Sequence, residues 1–147
     1  MEGSALWFGT AGFEVLGVAE VGAELVVEVE TTRAVIGCST CGTRAVPKDR
    51  RWVTLRDTPA GSRPVLLRWR KRVWACPDRD CPTRSWTEQT GLAAPRRVLT
   101  ARAEAWACDR VAAIEGTPAS IARGLRGVVV DGVGGGRAGR SCAGRGP

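Results

Sequence analysis

Apolar and polar positions alternate with period two through much of the first half of the chain. Phe13, Val15, Gly17, Ala19 and Val21 alternate with Glu14 and Glu20, and Leu25, Val27 and Val29 alternate with Glu24, Glu28 and Glu30. Such alternation puts apolar side chains on one face of a strand and polar ones on the other. It predicts two half-buried strands with a turn around Val21-Gly22-Ala23. Arg50 to Arg56 reads as a short strand, and Asp57-Thr58-Pro59-Ala60-Gly61 is a turn by composition. Arg63 to Cys76 is the longest strand candidate. Val65, Leu67, Trp69, Val73 and Ala75 fall on one of its faces, interrupted by Lys71. Arg68, Arg70 and Arg72 fall on the other, with Trp74 alongside, read as packing, with stacking on a base or sugar as the alternative. Arg84-Ser85-Trp86-Thr87-Glu88 reads as a closing strand.

The period changes near Leu99. Ala103, Ala107, Val111 and Ile114 recur at helical spacing with Trp106 beside the stripe, and Thr100 stands where an N-cap belongs. Gly116 ends that helix. Thr117-Pro118 starts another, a cap followed by proline at the first helical position, with Ile121, Ala122 and Leu125 as its apolar side. The pair matches the first part of a helix-turn-helix, and any small helical hairpin has the same pattern. Residues 124–147 then hold nine of the chain's 19 glycines, with Arg126, Arg137, Arg140 and Arg145. Each glycine costs a helix about 1 kcal/mol relative to alanine. A disordered tail is expected there.

Charge and cysteine content give this outline a chemistry. Residues 1–32 contain six glutamates and no basic residue, whereas ten Lys/Arg lie between Arg44 and Arg72 against Asp49 and Asp57. The net charge of +7 is therefore concentrated on the middle and the helices, the electrostatic footprint of phosphate binding. Arg68, Arg70, Lys71 and Arg72 are the leading phosphate contacts, with Arg50, Arg51, Arg102 and Arg123 secondary. The alternative is a solvated basic face without a partner. Cys38-x2-Cys41 and Cys76-x4-Cys81 bracket the basic stretch. Short turns between paired cysteines let neighbouring sulfurs reach one ion, so the four are candidate ligands of one structural zinc. The chain has no histidine, so the ligand set is all cysteine. Disulfides would need an oxidising compartment, and unpaired cysteines are the remaining reading. Cys108 and Cys142 are read as a small core residue and an incidental thiol. Met1-Glu2-Gly3 is acidic and no signal-like apolar run follows, so a cytoplasmic location with no membrane contact is expected.

Several segments in order carry a family resemblance. They are the acidic strand pair, Cys38-Ser39-Thr40-Cys41-Gly42, the stretch from Arg50 to Arg68 with Leu55-Arg56-Asp57-Thr58-Pro59-Ala60-Gly61, then Lys71 to Cys76, Cys81-Pro82 and Trp86-Thr87-Glu88. Together they resemble the N-terminal zinc-binding region of bacterial insertion-sequence transposases of the ISL-three family. Leu99-Thr100-Ala101-Arg102 through Ile121-Ala122-Arg123 resembles the helix-turn-helix that follows it. The resemblance covers residues 5 to about 126. It implies binding to double-stranded DNA at the element's terminal inverted repeats. Many members carry a histidine near Lys48–Arg50, which this chain lacks.

The family also implies a nuclease in which three carboxylates hold two metal ions. From residue 36 onward there are only nine acidic residues, spread over knuckles, turns and helix surfaces. The chain also lacks tyrosine and histidine, which excludes a tyrosine nucleophile and the commonest general base. A catalytically inactive DNA-binding fragment is the expectation, and a zinc-stabilised protein-interaction or RNA-binding module is the alternative. The expected fold is α+β: an acidic hairpin at 5–34, a β-rich four-cysteine module at 35–90, a partial helix-turn-helix at 97–126 and a glycine- and arginine-rich tail at 127–147. The change of character after Leu125 further suggests that the tail is an out-of-frame reading of a lost recognition helix; the rival is a genuine flexible basic tail that binds DNA by itself. Read from the second base of the Val128 codon, the genetic code allows Ser-Trp-Ser-Thr-Val-Trp-Ala, which has a cap and helically spaced apolar residues. The gene's nucleotide sequence tests this. The shifted frame should continue into a helical, transposase-like sequence, and an immediate stop codon contradicts the idea.

Overall fold

The computed structural model describes residues 11–113 together with Ile121, Arg123 and Leu125. The alternating segments become strands β1 (Phe13–Val21), β2 (Glu24–Thr31), β3 (Val46–Ala60), β4 (Arg63–Ala75) and β5 (Ser85–Thr87). They form one sheet in the order β1-β2-β4-β3, with β5 added beside β4. β1 and β2 are the expected acidic hairpin, antiparallel, with a register shift between Val15 and Gly17. β3 and β4 form a second antiparallel hairpin along their whole length. The two hairpins are joined by parallel pairing of β2 with β4, Leu25 opposite Val65 through Val29 opposite Trp69. β4 is thus central. β3 runs along one of its edges, and β2 and then β5 share the other.

Alternation now defines two unlike faces. One buries Val27, Val29, Leu55, Leu67 and Trp69, with Phe13 and Val65 beside them. The Phe13 ring meets Trp69 edge-on, centroids 5.5 Å apart. Leu92 and Ala93, from the segment after β5, close this side. The other face carries Arg50 and Arg56 of β3, Arg68, Arg70 and Arg72 of β4, and Glu24, Glu28 and Glu30 of β2.

One turn falls later than the sequence indicates. β3 runs through Asp57, Thr58 and Pro59 with a register irregularity, and the chain reverses at Gly61 and Ser62. Gly61 takes φ 63°, the left-handed conformation that tight hairpins favour. Pro59 is tolerated because β3 is an edge strand, where its missing N–H breaks no ladder.

The helix expected after Leu99 is α1 (Ala101–Ala112). Thr100 caps it, its hydroxyl accepting from Ala103 N at 3.2 Å. The same hydroxyl donates to Asp57 Oδ1 at 2.7 Å. Asp57 also accepts from Arg102 Nε at 2.7 Å and pairs with Arg102 Nη2. Backbone bonds continue the join: Arg56 N donates to Val98 O, and Thr100 N donates back to Arg56 O. Asp57, 1% exposed, therefore fastens the start of α1 to the edge of the sheet. Ile121 and Leu125 are helical and buried against Ala103, with Leu99, Trp106 and Ala107 around them. The expected stop at Gly116, the Thr117-Pro118 start, Cys142 and the tail lie outside the described residues. Cys108 is half-buried on α1.

This fastening predicts graded losses. Thr100→Ala removes a cap worth about 1 kcal/mol. Asp57→Ala should cost about 2–3 kcal/mol, less than a fully buried pair because Arg102 keeps access to water. Denaturant unfolding of the zinc-loaded protein measures both. A loss below about 0.5 kcal/mol for Asp57→Ala, the range of an ordinary surface change, contradicts the account.

Candidate metal centre and the charged face of the sheet

The β3–β4 hairpin explains why distant cysteines meet. The first pair precedes β3 and the second follows β4, and antiparallel pairing sets Val46 opposite Ala75. Both knuckles therefore stand at one end of the sheet. In the first, Cys38 N donates to Thr43 O and Gly42 N to Cys38 O, each at 2.8 Å. Gly42 takes φ 76°, as the tight turn requires. In the second, Asp80 N donates to Asp78 Oδ1 at 3.0 Å and Cys76 N to Arg84 O at 3.1 Å. The hydroxyls of Thr40 and Thr83, 2.6 Å apart, tie the knuckles together.

The sulfurs converge. Cys38 Sγ lies 3.8 Å from Cys81 Sγ, and Cys41 Sγ 3.5 Å from Cys76 Sγ. All four lie within 4.8 Å of one another. A tetrahedron of sulfurs around zinc, with bonds of roughly 2.3 Å, has edges of roughly 3.8 Å. The spacing fits that ion, whereas a disulfide would bring sulfurs to about 2.05 Å. The four cysteines form a structural zinc site. Trp86 packs against it.

The two knuckles hold their thiols differently. Backbone N–H groups of Cys41 and Thr40 pull the Cys38 thiol down to about 6. The Thr43 hydroxyl, 3.3 Å from Cys41 Sγ, and then the Thr43 backbone lower Cys41. Burial pushes Cys76 up to about 12 and also raises Cys81. The first knuckle thus offers the more readily ionised sulfurs, and the second would release its protons to solvent when zinc binds.

Away from the metal, the basic ladder is not bare. Arg68 Nη1 lies 2.5 Å from Glu28 Oε1, across the parallel β2–β4 pairing. Arg72 Nη2 is 2.6 Å from Glu30, and Arg70 and Arg50 each approach Glu30 at 3.6 Å. Arg56 pairs with Glu24 at 2.8 Å. Arg72 also donates to Thr31 through Nε and Nη2. Of the predicted phosphate contacts, Arg68, Arg70, Arg72 and Arg50 therefore share one face and meet carboxylates there. Lys71 is buried on the opposite face, its amine 4.2 Å from the Trp69 ring centroid. Burial lowers its pKa, and the charge of Glu88 acts in the raising direction. Arg102 serves Asp57. Arg51 and Arg123 are exposed, with no carboxylate partner among the described residues. Trp52 stands outside the predicted set, exposed on β3 beside Arg68 and Arg70. Its position between Arg51 and Val53 in an alternating strand was the available signal.

Two cysteine knuckles at the end of an antiparallel hairpin, closing on one ion, define a four-cysteine zinc ribbon. Residues 34–81, about a third of the chain, match the family of the zinc-finger of transposase IS204/IS1001/IS1096/IS1165. That segment is similar to the zinc ribbon of ISL-three family transposases. No curated protein and no solved structure matches the chain. Among the described residues no helix is long and apolar enough to cross a membrane.

Cys76→Ser should abolish stoichiometric zinc and unfold the region between the knuckles, because the metal supplies roughly 10–16 kcal/mol of apparent folding energy in such sites. Competition with a chelator tests the protonation pattern. Zinc affinity should fall as pH drops through about 6, where Cys38 also takes a proton, while Cys76 and Cys81 release protons on binding at neutral pH. An affinity independent of pH contradicts this.

Proposed function

We propose that the chain is a DNA-binding module of an ISL-three family transposase that binds DNA without cleaving it. The observation that carries this reading is the zinc ribbon at residues 34–81, embedded in a chain of net charge +7. Phosphates are met by the exposed guanidiniums of the β3–β4 face, Arg68 and Arg70 first. A guanidinium has five N–H donors, and the contact to the β2 carboxylate engages one terminal nitrogen of each. Arg50, Arg51 and Arg123 contribute secondarily. Arg72, Lys71 and Arg102 act mainly through the fold that presents the others.

The helical part supports the same reading. α1, with Ile121 and Leu125 packed on Ala103, is compatible with the start of a helix-turn-helix beside the ribbon. Its target in the parent transposase is the terminal inverted repeat. Binding without strand cleavage is supported by the use of four acidic side chains in the fold: Asp57 holds α1, and Glu24, Glu28 and Glu30 hold arginines.

A mobility-shift titration across salt concentrations tests the proposal. Affinity for duplex DNA should fall with a slope near −0.9 per phosphate neutralised. Replacing Arg68 and Arg70 by Gln should flatten that slope by about 1–2 units. Terminal-repeat DNA should compete at least as well as bulk DNA, and RNA should compete poorly. Preferential binding of RNA, or no binding to nucleic acid, favours an RNA-binding or protein-interaction module instead.

A further inference from the structure

Trp52 is 46% exposed on the open face of the sheet. Its neighbours on that face are polar. Arg50 and Thr54 lie two positions away along β3, Arg70 lies directly opposite on β4, and Arg68 is diagonal to it. The Arg68 guanidinium carbon stands 4.7 Å from the indole centroid and that of Arg70 6.0 Å. β3 is the last strand in the sheet order, so the ring is reachable from the edge as well as from above.

We infer that Trp52, Arg68 and Arg70 form a platform for an unpaired nucleotide, with the base stacked on the indole and the phosphate on the free guanidinium donors. The inference rests on the nucleic-acid reading above and adds the state of the nucleotide and a residue that makes the contact. Three physical points lead to it. An apolar protein surface seated on Trp52 would also have to cover Arg50, Arg68 and Arg70, and desolvating charges without new partners is costly. A nucleotide presents a flat ring and an anion together, which suits an aromatic flanked by guanidiniums. A duplex keeps its base faces stacked inside, so the ring that meets Trp52 must come from an unpaired position.

The carboxylates of the face are placed to direct the ligand. Glu28 and Glu30 lie on β2, on the far side of β4 from Trp52. They orient Arg68 and Arg70 and repel phosphate from the β2 side, which leaves the β3 edge as the path for the strand.

The test uses the full zinc-loaded chain and two variants. W52L keeps apolar bulk without the flat ring, and W52F keeps a smaller ring. Fluorescence anisotropy compares a single-stranded thymidine oligonucleotide with a duplex of equal length at the same salt concentration. W52L should weaken single-strand binding roughly 5- to 150-fold, W52F much less, and duplex binding should change no more than about twofold. Zinc content equal to that of the wild type shows that the variants fold. Equal losses on both ligands, or none on the single strand, overturn the platform. Wild-type protein that binds duplex but no single strand overturns it while the DNA-binding reading stands. Wild-type protein that binds neither overturns both.

Discussion

Closure of four sulfurs around one ion is the constraint on which the zinc end of this fold depends. The two cysteine pairs are separated by 34 residues, and those residues consist almost wholly of the β3–β4 hairpin. The hairpin brings the pairs together, and the metal holds its open end shut. β5 follows shortly after: Ser85 pairs with Ala75 one residue before Cys76, and Trp86 packs against the buried cysteines. A small β-sheet whose core lies on one face has limited apolar area to bury, so a metal cross-link is an effective way to fix its end.

A second set of interactions fixes how the hairpins lie together. The chain's acidic and basic halves are far apart in sequence, yet β2 lies against β4 and interleaves them. Glu30 is buried among Arg50, Arg70 and Arg72. A buried carboxylate is costly without partners, and here three guanidiniums surround it. Shifting β2 by one residue would turn Glu28 and Glu30 toward the core and Val27 and Val29 toward solvent. The apolar and ionic patterns thus specify the same register. The face that results is less positive than the sequence of β4 alone implies, and its accessible cationic surface lies toward the β3 edge.

Much of this was legible beforehand. Period-two alternation located β1, β2 and β4, and cysteine spacing identified the ligands. Thr100 marked the start of α1. The pairing of strands was not legible, because alternation says which residues share a face and nothing about which strand lies alongside. The parallel β2–β4 contact, and with it the partners of Arg68, Arg70 and Arg72, required the fold. Asp57 looked like a turn residue by composition, but it is the buried acceptor that joins β3 to α1. Lys71 broke an apolar stripe without leaving it, because its amine can lie over Trp69 while the stem is buried. Alternation places Trp52 on the face of Arg50 and Thr54, but the guanidiniums that flank it come from β4 and are legible only once the strands are paired.

The most direct test of the central claim is X-ray absorption at the zinc edge, on protein purified under reducing conditions, together with elemental analysis. One zinc per chain, with four sulfur neighbours at roughly 2.3 Å and no nitrogen or oxygen ligand, is the predicted result. A folded, metal-free protein with four free thiols, or an ion with a mixed ligand set, would contradict it.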